Sequence, residues 1–401
     1  MTRLLALLSA CAYLGAADPF RIELQTVSTG FDKVTCWVHA RPGFVHGAEP
    51  AAVITLQKLT LKGSDVFGPL AEFRSDDGGR TWGTPVVHER TLGHRTEGDV
   101  RITPCDFWPK WHAKTGRLLG TGHDARYRNE KVILNRPRTT VYSVYDPASR
   151  TWAAWESLQM PDEPRFYSAG AGCTQRVDLP DGDVLLPIYF AAKDEKEYRV
   201  CVLRCAFDGR KLTVRKAGSE IRIPGARGAG EPSLAVVGGR YYLTVRHDLA
   251  AYVAVSDDGL DFSPPRRWTF DDGSDLGSYN TQAHWVTHRD RLFLVYTRRG
   301  ANNDHIPRHR APLFIGEVDV AGPRVIRASE RVLVPERGAR LGNFGVGQAG
   351  PAETWVSVTE WMQTTPPNPY DFTKCTARGS DNAVFVARLL WSEPDPHWLA
   401  R

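Results

Sequence analysis

Three arginines stand at the ends of strand-like segments that are far apart in the sequence. Arg41 follows TCWVHA, Arg246 ends the segment RYYLTVR, and Arg310 precedes APLFIGEV. If the fold brought these guanidinium groups into one pocket, they would repel one another, and a bound anion would relieve that repulsion. A carboxylate suits them best, because each arginine can donate two parallel hydrogen bonds to it. The pattern therefore indicates a binding site for a small acidic ligand.

Short alternating segments rich in β-branched and aromatic residues recur along the chain. Examples are AAVITLQKL, DVLLPIYF, RYYLTVRH and NAVFVARLL, and turns such as LPDGD, VVGGR and FDGRK separate them. Short strands and glycine- or proline-containing turns at regular spacing predict an all-β fold. Helix signals are scarce and no segment resembles a linker, so we expect one domain over residues 18–401.

One turn recurs in degraded form. Residues 75–82 read SDDGGRTW, residues 256–262 read SDDGLDF, and residues 145–152 read YDPASRTW. In each copy an alternating strand runs into an Asp-containing turn that ends on an aromatic residue. The glycines of the first copy supply the positive φ of a tight turn, and its tryptophan is placed to lock the turn onto the sheet.

These repeats resemble the Asp-box of the sialidase superfamily, and the first copy fits S-x-D-x-G-x-T-W at every defined position. The resemblance implies a six-bladed β-propeller. A chain of 401 residues, less a leader of about 17, leaves roughly 60 to 65 residues for each four-stranded blade. In such a ring we expect the last strand, near residues 383–390, to close on the first blade. Asp-boxes also occur in propellers that are not glycosidases, so the box assigns no function.

The same resemblance implies roles for residues that match the family's site. Arg41, Arg246 and Arg310 stand where the family has the arginines that hold the sugar carboxylate. Asp65 stands where the family has the acid/base aspartate, which protonates the glycosidic oxygen. That role requires a pKa raised by burial or by neighbouring negative charge.

Three further residues match supporting positions of that site. Glu231 resembles the glutamate that activates a tyrosine nucleophile, and Glu360 resembles a late glutamate that orients the first arginine. Lys58 lies near the place of a further pocket arginine, where a lysine loses bidentate recognition.

The tyrosine nucleophile itself has no counterpart. The segment expected to carry it, ARLGNFGVGQAG, has Asn343 and Phe344 at that place. Tyr279, Tyr167 and Tyr189 are alternative pocket tyrosines, although each could equally pack or bind sugar. We assign Tyr279 to catalysis.

Polar groups at turns and strand ends complete the expected pocket. We expect Asn343 and His112 to contact the substrate. Other histidines stand in similar positions, namely His123, His247, His284 and His305. None of them has metal-ligand spacing that we would assign, and we expect neither a metal nor another cofactor.

Charge and cysteine content narrow the remaining classes. The net charge is +5 without any run of Lys or Arg, which gives nucleic-acid binding little support and is compatible with an acidic ligand. Beyond Cys11 there are six cysteines with no C-x-x-C motif, and we interpret most of them as small core residues.

The N-terminus has the pattern of a secretory signal. Residues 1–17 carry an early arginine, an apolar stretch and small residues before Asp18, so we expect cleavage after Ala17. Leu8 to Cys11 also resembles a bacterial lipobox, which would anchor the protein at Cys11. No other segment is long and apolar enough to span a bilayer. We therefore expect a secreted or periplasmic protein.

The combined prediction is an exported, sialidase-like glycoside hydrolase that removes a terminal acidic sugar from glycans. Because the usual nucleophile is absent, two alternatives stay open. One is a carbohydrate-binding propeller without activity, and the other is a different glycosidase or a polysaccharide lyase on the same scaffold.

Overall fold

The computed structural model describes residues 18–47, 49–61, 65–134, 137–364, 368 and 371–399. These residues form 29 strands, three 3-10 turns and one short helix. The strands pair in six antiparallel sheets. The predicted signal peptide and Cys11 lie outside the described residues. Within the described part, no helix has the length and apolar character needed to cross a membrane.

The first half of the chain builds three sheets after an initial strand, β1 (Phe20–Ser28). The first sheet contains β2 (Thr35–Val45), β3 (Ala51–Thr60), β4 (Val66–Ser75) and β5 (Val86–Val87). The second contains β6 (Arg95–Glu97), β7 (Val100–His112), β8 (Arg117–Arg128), β9 (Lys131–Val132), β10 (Thr140–Asp146), β11 (Thr151–Trp152) and β12 (Glu156–Ser157). The third contains β13 (Ser168–Gly170), β14 (Val177–Asp178), β15 (Asp183–Ala191), β16 (Arg199–Phe207) and β17 (Leu212–Ala217).

The second half builds three more sheets. The fourth contains β18 (Gly230–Val237), β19 (Arg240–Arg246), β20 (Tyr252–Ser256) and β21 (Arg266–Arg267). The fifth contains β22 (His284–His288), β23 (Arg291–Tyr296), β24 (Leu313–Asp319), β25 (Arg324–Val325) and β26 (Arg331–Val334). The sixth contains β27 (Phe344–Gly350), β28 (Glu353–Thr359), β29 (Val384–Trp391) and β1. The helical segments are Pro164–Phe166, Pro307–His309, Arg327–Ser329 and α1 (Thr373–Thr376).

The six sheets surround a common axis. Strand β2 packs against β7 on one side and β27 on the other, and β18 packs against β15 and β22. Contacts between β22 and β27 and between β8 and β13 complete the circle. The predicted all-β propeller is therefore confirmed, and the strand pairing divides the described chain into six sheets.

The two ends of the chain close the ring. Strand β1 pairs antiparallel with β29, from Phe20 opposite Trp391 to Ser28 opposite Val384. The last strand thus takes part in closure, as expected, but it does so inside the sixth sheet, to which β1 is added as the outer strand.

Apolar side chains fill the spaces between neighbouring sheets. Trp152, Trp268, Trp285 and Trp355 are among the largest fully buried residues, and rings of this size contribute a large apolar area to the packing. All six described cysteines are buried and none forms a disulfide, which agrees with the interpretation of most of them as core residues.

The turn at residues 75–82 is held by its own side chains. Ser75 Oγ accepts a hydrogen bond from Gly79 N at 2.8 Å and donates to Asp77 Oδ1 at 2.8 Å. Asp77 also accepts from the Thr81 amide and hydroxyl, at 3.0 and 2.7 Å. A Cβ at Gly79 would lie 2.4 Å from Trp355, so this close approach and the φ of +81° both require glycine. The turn therefore has a structural role, because its polar groups bind one another and its glycine packs against Trp355.

Candidate functional site

Four residues near the inner strands of successive sheets have a left-handed backbone, and their side chains converge. They are His39, Asp106, Cys173 and Glu231, with φ between 40° and 60°. The strand register breaks beside three of them, in β2, β7 and β18. Such bulges re-aim side chains, and a non-glycine residue in this region costs about 1–3 kcal/mol. The fold therefore accepts strain to place these groups on the axis.

Arg246 and Arg310 meet at one residue, Asn280. Arg246 Nη2 donates to Asn280 Oδ1 at 2.7 Å, and Arg310 Nη2 donates to the Asn280 carbonyl. Arg246 Nη1 also donates to Glu231, whose neighbour Gly230 lies opposite Arg246 in the β18–β19 hairpin. Two predicted arginines and the predicted glutamate are thus assembled in one place.

Arg340 is a further member of this cluster that the sequence analysis missed. It is buried and donates to Gln363, and its guanidinium interacts electrostatically with Arg310. Burial, followed by the charges of Arg246 and Arg340, holds the pKa of Arg310 well below its usual range. Burial and the neighbouring Arg308 lower the pKa of Arg340 to about 10. These cations destabilise one another, which is the condition that an anion would relieve.

Unpaired nitrogen atoms point to the same conclusion. The Nε atoms of Arg310 and Arg340 are buried and have no hydrogen-bond partner, and neither does Glu231 Oε2. Buried polar atoms are normally satisfied, so a group of unsatisfied ones beside converging cations indicates a place for a ligand or for water.

Arg41 lies on the other side of Glu231. It is fully buried, donates from Nη2 to Cys173 Sγ at 3.2 Å, and has its Cζ 5.0 Å from the centre of the Trp108 ring. Its Nε and Nη1 atoms have no partner. Glu231 interacts electrostatically with Arg310 and with Cys173, which is the thiol that Arg41 contacts. It therefore lies between the arginine cluster and Arg41.

Asp65 lies at the exposed side of the cluster. Its φ is +52°, and its carbonyl accepts a hydrogen bond from Tyr127 Oη at 2.8 Å. The carboxylate interacts electrostatically with Arg308 and Arg340. This places the predicted proton donor next to the arginine cluster.

Asn343 belongs to the same neighbourhood. Its Oδ1 accepts a hydrogen bond from Gln282 Nε2 at 3.0 Å. The preceding glycine, Gly342, packs against Arg310, because a Cβ there would lie 2.4 Å from Arg310 Cδ. Phe344 is fully buried.

Glu360 has a different partner from the predicted one. It is buried, its Oε2 accepts the amides of Asp381 and Ala383 at 2.9 Å each, and its Oε1 lies 3.3 Å from Arg337 Nε. Burial raises its pKa. The expected orienting contact to Arg41 is replaced by this pairing, so Glu360 holds the segment before β29.

Lys58 and His112 are engaged elsewhere. Lys58 Nζ lies 3.3 Å from Asp32 Oδ2 and 4.5 Å from the centre of the Trp37 ring.

His112 ends β7 at the hairpin to β8. Its Nδ1 lies 2.9 Å from Thr115 Oγ1 and its Nε2 lies 3.0 Å from the Gly182 carbonyl. Both ring nitrogens are therefore used in joining a turn to the next sheet. A contact between His112 and substrate stays a prediction, and the structure places this residue at the hairpin end of its strand.

Tyr279 forms a hydrogen-bonded chain with two residues of the following loop. Its Oη lies 2.6 Å from His309 Nδ1, and His309 Nε2 lies 3.1 Å from Asp304 Oδ1. We call these three residues the rim triad. The Tyr279 ring is half-buried with the Arg299 guanidinium 4.2 Å from its centre.

A second chain of the same residue types lies on the axis. Tyr189 Oη lies 2.9 Å from His123 Nδ1, and His123 Nε2 faces Asp106 Oδ2 at 3.6 Å. We call these three residues the axial triad. Tyr189 and His123 were predicted separately from the sequence. Asp106 was not predicted, because its only signal is a carboxylate inside the strand-like segment TPCDFWP.

The carboxylate of Asp106 is held by several neighbouring side chains. Its Oδ1 accepts from Cys173 Sγ at 2.7 Å and lies 3.2 Å from His39 Nε2. Burial alone would raise its pKa, but His39, His123 and Arg41 lower the pKa to about 2. Asp106 is therefore ionised at neutral pH.

One group of donors has the composition of a metal site. Cys105, Asp106 and His123 offer atoms within 4.8 Å of one another. The guanidinium of Arg41 acts on Asp106, and that positive charge opposes the binding of a cation.

A separate cavity of about 120 Å³ lies farther along the axis. Its aromatic lining consists of Phe44, Trp108, Trp111, Trp285 and Trp398, with the histidine His46. Neither Arg246 nor Arg310 lines it. One residue that lines this cavity, Gln348, has a buried nitrogen without a partner, whereas the charged cluster has such atoms on Arg41, Glu231, Arg310 and Arg340.

Comparisons with known proteins identify the fold. No protein-family model matches the chain, and no curated protein sequence matches it. Among solved structures, a Dyadobacter fermentans protein of unknown function is 15% identical, covers 92% of this chain and 99% of its own, and has a TM-score of 0.62.

Two sialidases are similar at the same level. The Hadza microbial sialidase Hz136 is 14% identical over 91% of this chain and 68% of its own, with a TM-score of 0.60. The Trypanosoma rangeli sialidase is 14% identical over 89% of this chain and 55% of its own, with a TM-score of 0.56. The chain spans about half the length of the latter. The likeness shows a sialidase-like propeller fold.

Proposed function

We propose that this protein is a sialidase-like glycoside hydrolase that releases a terminal acidic sugar from glycans. The observation that carries the proposal is the convergence of Arg246, Arg310 and Arg340. Their mutual repulsion, together with the unpaired Nε atoms of Arg310 and Arg340, suits one bound carboxylate. The sialidase-like fold supports it as an analogy.

In this proposal the residues divide the work by position. Arg246 and Arg310 bind the carboxylate, and Arg41 contributes positive charge from the far side of Glu231. Asp65 donates a proton to the glycosidic oxygen from the exposed side, where it lies beside the arginines. Glu231 holds Arg246 through its carboxylate.

Binding is tested by Arg310→Met, which keeps the volume and removes the charge. We expect the Kd for sialic acid, measured by calorimetry, to rise roughly 100-fold, because losing a charge-assisted pair costs several kcal/mol. Arg266→Met, an exposed arginine on β21, is the matched control and should bind as the unaltered protein does. Equal affinity in the two variants would remove the arginine cluster from the proposal.

Catalysis is tested by Asp65→Asn with a natural sialyl-oligosaccharide, whose poor leaving group requires protonation. We expect kcat to fall about 10²- to 10⁴-fold with little change in Kd. Asp257→Asn is the control, since the Asp257 side chain is 98% exposed. Unchanged turnover in Asp65→Asn would exclude Asp65 as the proton donor.

A carbohydrate-binding propeller without activity is the second candidate. It is favoured by one observation, the buried Phe344 and hydrogen-bonded Asn343 at the place of the family's nucleophile. A panel of acidic polysaccharides tests it together with the lyase alternative. Binding without any product supports the binding protein, and an unsaturated product supports a lyase.

Export is proposed from residues 1–17, with a mature chain that begins at Asp18. The intact mass of the protein from a secreting host tests this. A mass that retains residues 1–17 contradicts cleavage, and a lipid-modified N-terminal cysteine identifies Cys11 as an anchor.

A further inference from the structure

The carboxylate of the axial triad is fixed before any ligand binds. Asp106 Oδ1 is held by the Cys173 thiol at 2.7 Å and by His39 Nε2 at 3.2 Å, and this leaves Oδ2 directed at His123. The Asp106 side chain is only 13% exposed, so water competes little for it. A fixed anion of this kind can orient a neighbouring imidazole.

That orientation determines which nitrogen of His123 carries the proton. The ionised Asp106 favours a proton on Nε2, which faces it at 3.6 Å, and with that tautomer Nδ1 is the acceptor for Tyr189 Oη at 2.9 Å. Gly172 leaves room for this contact, since a Cβ there would lie 2.0 Å from His123 Nδ1. A histidine base, an acid that orients it and a hydroxyl within reach form the arrangement that activates a nucleophile.

Tyr189 is placed to use this base. It is 7% exposed, and burial raises its pKa well above the usual value, opposed by the Arg138 guanidinium 4.7 Å from its ring centre. Glu231 and Asp106 also disfavour the phenolate. The phenol is therefore neutral at rest and can react only as its proton moves to His123.

We infer that Tyr189 is the nucleophile of the reaction, with His123 as its general base and Asp106 as the residue that positions His123. This inference rests on the proposed glycosidase function. Tyr189, in the third sheet, supplies the tyrosine hydroxyl that is missing at Asn343 and Phe344.

The chemistry balances over two steps. Tyr189 Oη attacks the anomeric carbon while its proton moves to His123 Nδ1, the glycosidic bond breaks, and Asp65 protonates the leaving oxygen. Water then attacks the anomeric carbon and gives a proton to Asp65. The bond from carbon to Tyr189 breaks, and the phenolate recovers its proton from His123.

The rim triad is the competing source of a tyrosine. Its acid, Asp304, is 95% exposed, so water solvates the carboxylate that would have to orient His309. Tyr279 itself is flanked by the cations Arg299, Arg308 and Arg310, which place it beside the carboxylate-binding cluster. This position suits Tyr279 for contact with the carboxylate of the bound substrate and not for attack on its anomeric carbon.

Covalent trapping tests the assignment directly. The full-length mature protein is incubated with 2,3-difluorosialic acid, and the modified residue is located by peptide mass spectrometry. We expect one fluorosialosyl group on Tyr189. A label on Tyr279 or on any other residue overturns the inference.

Kinetics of Tyr189→Phe provide the second test. We expect kcat for a fluorogenic sialoside to fall at least about 10³-fold while the Kd for sialic acid, measured on the same preparation, changes less than about threefold. Tyr142→Phe is the matched control and should keep full activity, because Tyr142 is a buried tyrosine of β10 whose Oη donates to Glu156 Oε2 at 3.0 Å. Turnover in Tyr189→Phe that equals this control overturns the inference and leaves the proposed function intact.

Two results separate this inference from the function on which it rests. If the unaltered protein binds sialic acid without turnover or label, the nucleophile assignment fails and the binding protein is favoured. If it neither binds nor cleaves, the proposed function fails, and the inference with it.

The positioning role of Asp106 has its own readout. In Asp106→Asn the imidazole loses an anion that stabilises its protonated form, so the acidic limb of the kcat profile should move to lower pH. A purely structural role would lower the active fraction at all pH values and leave the limb in place, which would contradict the role.

Discussion

The axial and rim triads contain the same residue types in the same order, and their tyrosine–histidine distances are similar, 2.9 and 2.6 Å. They differ in the surroundings of the acid. Asp106 is 13% exposed and is held by two further side chains, whereas Asp304 is 95% exposed. An exposed ion pair contributes about 0–1 kcal/mol to stability, because water solvates the separated charges nearly as well as the charges stabilise each other. The same hydrogen-bond pattern can therefore be catalytic in one place and incidental in another.

The two triads also differ in the backbone that carries their strained residue. Asp106 has a φ of +52° beside a register break in β7, so a strand of the scaffold carries the strain. In the rim triad the left-handed residue is the histidine, His309, which lies in a 3-10 turn. Groups placed by strands are held more firmly than groups placed by loops. The comparison predicts that the nucleophile belongs to the axial triad and not to the rim triad.

The largest expected difference is kinetic and concerns the two histidines. His123→Asn should lower kcat for a sialoside about 10²- to 10⁴-fold, the range for loss of a general base. His309→Asn should change kcat less than about threefold, because it lies outside the proposed proton path. Steady-state kinetics on both variants measure this. A larger loss in His309→Asn would reverse the assignment of the two triads.

The fold and part of the site follow from local sequence patterns. Strand alternation and the Asp-containing turns are short-range signals, and they predicted the propeller. Glu231 and Arg246 were both named from one recognisable segment, and they lie close together because that segment is a single hairpin. Both signals need only the sequence near each residue.

The rest of the site depends on how distant strands are placed. Arg340 joins Arg310 only because two sheets meet, and Tyr189 reaches His123 from a neighbouring sheet. Neither pairing has a sequence spacing that could reveal it. The register of the strands around the axis decides which side chains converge, and no local sequence pattern specifies that register.

A smaller difference is expected in stability, between the two acids. Asp106→Asn should lower the free energy of unfolding by about 2–3 kcal/mol, because an amide cannot satisfy His39, Cys173 and the nearby cations as a carboxylate does. Asp304→Asn should change it by less than about 0.5 kcal/mol. Urea unfolding at neutral pH measures both. Equal losses would show that burial of the acid does not distinguish the triads.

Acid sensitivity should follow the same distinction. The pKa of Asp106 falls from 3.8 to about 2 on folding, so its contribution to stability is present above the unfolded value and is lost as the pH falls through the folded one. The shift corresponds to about 2 kcal/mol. Between pH 4 and 2, roughly, Asp106→Asn should therefore lose less stability than the unaltered protein. A parallel decline in the two proteins would contradict the low pKa.

The smallest expected difference concerns the tyrosine hydroxyls. Tyr189→Phe leaves the buried His123 Nδ1 without that partner and should cost about 1–2 kcal/mol of unfolding free energy. Tyr279→Phe removes a bond at the half-buried rim and should cost about 0.5 kcal/mol or less. Thermal and urea unfolding measure both changes. Because neither loss approaches the stability of an ordinary domain, about 5–15 kcal/mol, both variants should stay folded. A loss of turnover in Tyr189→Phe then reports on chemistry, and unfolding of that variant near room temperature would show that the hydroxyl serves the core instead.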